Sequence, residues 1–168
     1  MTATSKKIYV PTQGADSWKC LLAEPDKHWK TGFSARLLAH CWEDAKGGFP
    51  KSVNTALSAA GQTQELLLAI PEFKVNLPPY GAASQSDIFV LSRDDAGLTV
   101  MMVEGKVNES FDKKVGDWND GDGKERRLLF LLTKLGLKDE SVDAIRYQLL
   151  HRTVSALLTA EQFHQVVL

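Results

Sequence analysis

Two runs of alternating side chains dominate the middle of the chain, Ser86-Asp-Ile-Phe-Val-Leu-Ser92 and Leu98-Thr-Val-Met-Met-Val-Glu-Gly-Lys106. They flank Arg93-Asp94-Asp95-Ala96-Gly97, whose Asp and Gly residues favour a tight turn. The pattern predicts a β-hairpin. Both strands are apolar on both faces, which suits central strands covered by helices. With the turn centred between Asp95 and Ala96, Asp87 faces Glu104, and Lys106 lies on the same side as Glu104 because alternate residues share a face.

Around this hairpin the pattern reads as α/β. Lys7–Val10 is expected as a short opening strand and Asp16–Ala23 as a short helix with Trp18, Leu21 and Leu22 inward. A helix from Ser34 carries Leu37, Leu38, Cys41, Trp42 and Ala45 at helical spacing, with His40, Glu43 and Asp44 on the other side. Gly47-Gly-Phe-Pro50 ends it, and Ser52–Ala60 forms another helix before Gly61. Thr63 is placed to cap a helix over Gln64–Ile70, which Pro71 stops. Phe73–Leu77 alternates like a strand. After the hairpin, Asn108–Lys124 is a polar loop with a turn of helix near Lys113, anchored by Trp118. Glu125–Leu135 is a helix buried around Leu128, Leu129, Leu131 and Leu132, closed by Gly136. The last long helix spans Ser141–Gln162, with Val142, Ile145, Leu149, Leu150, Val154, Leu157 and Leu158 inward and Gln148 and Arg152 together at its border. Gln165–Leu168 reads as a closing strand that stops at the last residue, as if native residues followed it.

The 168 residues suffice for one domain with a full core. A formal net charge of -1 gives no global basic field, so nucleic-acid binding would need a local patch. The two cysteines, Cys20 and Cys41, have neither metal-ligand nor disulfide spacing. The four histidines are dispersed, and the four tryptophans read as core and loop anchors. The N-terminus lacks a secretory apolar core and no run approaches a membrane span, so a cytoplasmic location and no membrane partner are expected. No phosphate-binding glycine loop, nucleophile elbow or His-Glu-x-x-His pair occurs.

Candidate chemistry therefore concentrates on the hairpin. Two carboxylates opposed across a strand pair repel, and a divalent cation with oxygen ligands would relieve them. The plainer alternative is a wet strand end with Lys106 as a surface counter-charge. Glu65, in the first turn of its expected helix, can equally serve as dipole compensation.

The order helix with Glu65, strand, strand with Asp87, strand with Glu104-Gly105-Lys106, helix, strand resembles the PD-(D/E)XK nuclease superfamily. The resemblance covers about residues 63–168. It implies a restriction-endonuclease-like core (α-β-β-β-α-β, mixed sheet flanked by helices) over 63–168, with residues 1–62 as an N-terminal helical extension. By the same resemblance Asp87 and Glu104, with the Gly105 carbonyl, would hold Mg²⁺ or Mn²⁺. Lys106 would activate the attacking water, and Glu65 would complete the acidic cluster, with Glu72 as the fallback. Gln148 would match the helix-borne polar residue, and a homodimer is carried over as an expectation. Ser86 stands where the superfamily name records Pro. Substrate recognition would fall to Lys113, Lys114, Lys124, Arg126, Arg127, Arg146 and Arg152, among which acids interleave. The chain also looks like members of an uncharacterised bacterial domain family, on Asp26-Lys-His-Trp-Lys-Thr-Gly32, Ser84-Gln-Ser-Asp87 and Arg146-Tyr-Gln-Leu-Leu-His-Arg152. The expected function is Mg²⁺-dependent hydrolysis of DNA or another nucleic acid. The alternatives are an inactive nuclease-fold module that binds a protein, and a metal-dependent hydrolase of a small phosphorylated substrate.

Overall fold

The structure is a computed structural model that describes residues 7–10, 12–79 and 81–163. The chain divides into two compact units, one running to Phe73 and taking in Ser86–Glu109, the other built from Lys74–Gln85 and the chain from Ser110 onward. A 3₁₀ helix, Ala15–Leu21, is followed by α1 (Pro25–His28), α2 (Ser34–Asp44) and α3 (Lys51–Ala59). A three-stranded antiparallel sheet comes next, in the order β1 (Glu65–Val75), β2 (Ser84–Asp94) and β3 (Gly97–Val103). Helices α4 (Val115–Trp118), α5 (Asp122–Leu135) and α6 (Tyr147–Phe163) follow. The fold is thus mixed α/β, and no helix among the described residues is long and apolar enough to cross a membrane.

The hairpin has the register its turn dictates. Pairs run from Ile88↔Val103 to Asp94↔Gly97. The Asp94 carboxylate accepts from the amides of Ala96 (2.9 Å) and Gly97 (3.2 Å), and Gly97 takes φ 136°, where a side chain would be strained. Strand β3 stops at Val103, short of the expected Lys106, and it lies at one edge of the sheet. Only β2 has the buried run expected of both strands, Ile88 to Leu91.

The expected helix over Gln64–Ile70 is instead the first half of β1. Gln, Glu, Leu and Ala favour helix, but seven residues before a proline cannot sustain one, and tertiary pairing overrides propensity. Ala69 is fully buried and bridges Ile8 in parallel, its amide donating to the Lys7 carbonyl (2.8 Å) and its carbonyl accepting from Tyr9 (3.0 Å). That single bridge is all that the expected opening strand forms among the described residues. The Phe73–Leu77 strand merges into β1, which ends at Val75.

In the first unit, Trp18, Trp42, Phe49, Leu66, Ile88 and Val90 form the core with Ala39 and Ala69. Helix α2 is rotated from its expected phase: Ala39 and Trp42 are buried while Leu37 is 53% exposed. Trp42 meets Phe49 edge-on at 6.3 Å. Glu43, expected on the polar side, accepts from the indole of Trp18 (2.8 Å) and from Thr12 (2.7 Å).

In the second unit, α5 packs against α6 around Leu128, Leu131, Leu132, Leu150 and Val154, with Val115 and Tyr147. Gly136 ends α5 at φ 70°, and the Leu137 amide returns to the Leu132 carbonyl (2.8 Å). Leu129, Leu149 and Leu157, expected inside, are exposed, and Arg127, Gln148, Ser155 and Thr159 are buried instead. Val142 and Ile145 precede α6, which begins at Tyr147 rather than near Ser141. Trp118 does anchor its loop, stacked on Tyr147 with centroids 3.6 Å apart. The expected closing strand Gln165–Leu168 lies outside the described residues.

His151 bonds to the Ser84 hydroxyl through Nδ1 (2.8 Å). Burial, and then the charges of Arg152 and Arg127, push its pKa down to about 3. A depressed folded-state pKa contributes stability above the ordinary value of about 6.5, lost as pH falls toward 3. His151→Asn keeps an acceptor for Ser84 but cannot charge, so urea melts of the variant are expected to lack this part of the acid-induced loss between pH 6.5 and 4.

Candidate functional site

One residue beyond the last hairpin pair, Ile88↔Val103, stand Asp87 and Glu104. The Gly105 amide donates to Asp87 Oδ2 at 2.7 Å, and Lys106 Nζ donates to Glu104 Oε1 at 3.0 Å. This ion pair is sheltered, with side-chain exposures of 23% and 14%, whereas the other ion pairs among the described residues are more open. The structure thus brings Asp87, Glu104, Gly105 and Lys106 together.

Asp87 is the most perturbed of these groups. Desolvation first, then the negative charges of Glu104 and Glu72, raise its pKa to about 7, against the opposing pull of the Gly105 amide and Lys106. Glu72, which acts on Asp87 through its charge, follows Pro71 in β1 with a left-handed backbone, φ 53°. Beside Asp87, Ser86 is fully buried and its hydroxyl has no partner.

Glu65 is elsewhere. Its carboxylate accepts from Arg93 Nε (2.8 Å) and lies 3.7 Å from Lys7 Nζ, and the Arg93 hydrogen bond lowers its pKa. Arg93 and Asp87 are six residues apart on β2, roughly 20 Å at about 3.3 Å per residue. Glu72, named above as the fallback for Glu65, is instead the further acid whose charge acts on Asp87. Glu65→Ala is expected to leave any hydrolytic activity unchanged, whereas Glu72→Gln should weaken cation binding, both read by calorimetry and a cleavage assay.

Gln148 lies in the second unit, buried on α6, where its carbonyl accepts from the Asp112 amide (3.4 Å). Several of the expected substrate-contacting cations are committed within that unit. Arg127 is buried, Lys124 pairs with Asp120 (2.7 Å), Arg146 donates to the Asp112 carbonyl (3.1 Å), and Arg152 donates to Ser84 (2.9 Å).

A positioning residue escaped the sequence reading. Glu109 accepts from the Ser34 amide (2.6 Å) and hydroxyl (2.8 Å) and from the Val107 amide (2.9 Å). Despite the cost of its partial burial, these donors hold its pKa down at about 2. It ties the segment after Lys106 to the start of α2. The contact spans 75 residues, and no local capping pattern announces it.

Among the described residues no group of three or more His, Cys, Asp or Glu side chains could hold a metal ion. The Asp87 and Glu104 carboxylates do interact electrostatically, and Mg²⁺ can be held by one or two carboxylates while keeping several waters. Desolvation first, and then the charge of Glu104, disfavour the ionised Asp87 carboxylate, and a bound cation would offset both. To that extent the donor set fits a hydrated divalent ion.

A family model described as a domain of unknown function, DUF6946, matches residues 11–167. The chain belongs to that family. No curated protein and no solved structure matches it. The DUF6946 match takes in the whole hairpin, Glu72 and the Glu104-Gly-Lys106 triplet.

Proposed function

We propose that this DUF6946 protein is a Mg²⁺- or Mn²⁺-dependent hydrolase of phosphodiester bonds in nucleic acid, with a restriction-endonuclease-like core related to the PD-(D/E)XK nucleases. The observation that carries this reading is the meeting of Asp87, Glu104 and Lys106 just beyond the paired part of the hairpin. The order α3, β1, β2, β3 and, past the one-turn α4, α5 supports it by following the first five elements of that core, although α3 takes the place of the helix expected at Gln64–Ile70.

Asp87 and Glu104 would hold the cation, with Glu72 adding negative charge nearby. When bound, a divalent ion would stabilise charge on the phosphate and leaving oxygens and acidify a coordinated water. The Gly105 amide fixes the Asp87 carboxylate by engaging Oδ2. Carbonyl ligation by Gly105, implied by the resemblance, belongs to the proposal. Lys106 neutralises Glu104 in the cation-free protein. Once the cation takes that carboxylate, the ammonium is placed to orient the attacking water and meet the substrate phosphate. Cutting both strands of a duplex would take two such sites, so the proposal includes a homodimer.

Calorimetric titration of Mg²⁺ and Mn²⁺ into wild type and Glu104→Ala, followed by assays on single- and double-stranded DNA and RNA, tests this. Binding and cleavage in wild type are expected, both lost in Glu104→Ala. Lys106→Met should retain cation binding while cleavage falls by roughly 100-fold. Wild type that binds no cation even with substrate present would sink the reading and favour a non-catalytic, protein-binding module.

A further inference from the structure

The second unit contains a cavity of about 520 Å³ to which the proposed chemistry assigns no role. Its walls are the segment 81–84, the start of α5, Trp118, and Tyr147 and His151 of α6. The volume falls within the usual range for small-molecule sites, about 300–1,000 Å³.

Helix α5 begins at this cavity without a side-chain cap, since Gly121 occupies the cap position. The amides of Lys124 and Glu125 return to the Gly121 carbonyl at 2.9 and 3.0 Å. Those of Asp122 and Gly123 are left among the orphan donors of a helix start, which favour an anion. A helix start alone would not make a site, but Arg127 adds an independent observation.

Arg127 lines the same cavity and is only 8% exposed. Its Nη2 donates to the Ala82 carbonyl (2.8 Å) and the guanidinium also bonds the neutral Tyr147 side chain, whereas its Nε has no hydrogen-bond partner. Among the described residues no carboxylate forms an ion pair with it. A buried guanidinium ordinarily has an anionic partner, because burying a charge unpaired is costly. The chain also closes around this group: a Cβ on Gly81 would stand 2.8 Å from Arg127 Nη1 and would push the guanidinium aside.

The other wall is polar. Ser84 is held between His151 Nδ1 (2.8 Å) and Arg152 Nη1 (2.9 Å), and burial keeps His151 neutral. Lys124 adds a cation at the rim, partly answered by Asp120 at 2.7 Å. Asp122 is the one acid among the lining residues, and it sits where it competes for the same helix amides.

We propose that this cavity binds the phosphate group of a small phosphate monoester, held by the α5 amides of Asp122 and Gly123 and by Arg127 and Lys124, with Ser84 on the facing wall. Inorganic phosphate offers the same oxygens, and the two sources separate by affinity.

The test titrates inorganic phosphate and adenosine 5′-monophosphate into the full chain in EDTA, so that failure of the acidic site to bind a cation has no bearing on the result. Saturable binding is expected, with the amide resonances of Asp122 and Gly123 shifting. Arg127→Gln should weaken it at least about tenfold, the scale of one lost charge-assisted hydrogen-bonding group. Asp122→Asn should tighten it several-fold by removing the competitor. Tighter binding of the nucleotide assigns the site to an ester, and equal affinity assigns it to the free ion. Absence of saturable binding by both probes overturns the proposal, as does binding that neither substitution changes. Should Arg127→Gln fail to fold, Asp122→Asn and the amide shifts decide alone.

Discussion

Replacing Asp87 by Asn is expected to make the cation-free protein more stable above pH 7 while abolishing cation binding and cleavage. The wild-type carboxyl is raised from 3.8 to about 7, chiefly by desolvation and then by Glu104 and Glu72. A raised folded-state pKa means that the folded protein holds a proton the unfolded chain releases. Its contribution is complete below about pH 4 and is lost as pH rises to about 7. A shift of roughly three units corresponds to on the order of 4 kcal/mol. Asn retains an oxygen that can accept from the Gly105 amide, so the variant sheds the buried charge without losing the hydrogen bond. Urea melts at pH 4.5 and 8 in EDTA should show wild type losing this increment and the variant not losing it. A variant less stable than wild type at pH 8 would make the carboxylate a structural anchor. The stability given up to keep Asp87 charged is the expected signature of a group retained for binding.

What the sequence made legible was local. The turn residues Asp94 to Gly97 set the hairpin register, and the register placed Asp87 beside the Glu104 triplet. The same holds for the end of α5 at Gly136 and the anchoring of Trp118. Errors came where distant partners decide. Residues 64–70 have helical propensity, yet from Glu65 on they form a strand by pairing with β2 and by bridging Ile8 through Ala69. Glu65 moved with that change, from the expected acidic cluster to Arg93 and Lys7.

Helix faces failed for another reason. Helix α6 carries apolar residues on more than one face, so periodicity does not fix which one packs on α5. The face chosen buries Gln148, Ser155 and Thr159 and leaves Leu149 and Leu157 exposed. The hydroxyls of Ser155 and Thr159 can be buried because each bonds back to a carbonyl one turn earlier, at 2.7 and 2.8 Å. Sequence patterning treats such residues as outward-facing.

Gly105→Ala is the second substitution with a large expected effect, because the middle residue of the Glu104-Gly-Lys106 triplet has no room for a side chain. A methyl group there would meet Leu38 Cδ1 at 2.5 Å, Leu38 Cγ at 2.9 Å and Ser34 Cβ at 3.2 Å. The Leu38 methyl can swing aside, but its Cγ moves only with the side chain's stem. Ser34 is held in place by the Glu109 carboxylate through both its amide and its hydroxyl. Overpacking of this kind costs about 1–3 kcal/mol. Any retreat of the Gly105 backbone also pulls its amide from Asp87 Oδ2, now 2.7 Å away. If the acidic site is catalytic, a displacement of about 1 Å there is worth roughly 100-fold in rate. Leu38→Ala opens space in front of residue 105, so the double variant should be less destabilised than the two single changes added together, by about 1 kcal/mol or more. Cation affinity should recover with it. Additive stabilities and an unchanged affinity in Gly105→Ala would show that α2 does not set the position of the triplet. Coupling of both quantities would instead make the packing of Leu38 on Gly105 the contact through which the helical part of the first unit holds the acidic site in place.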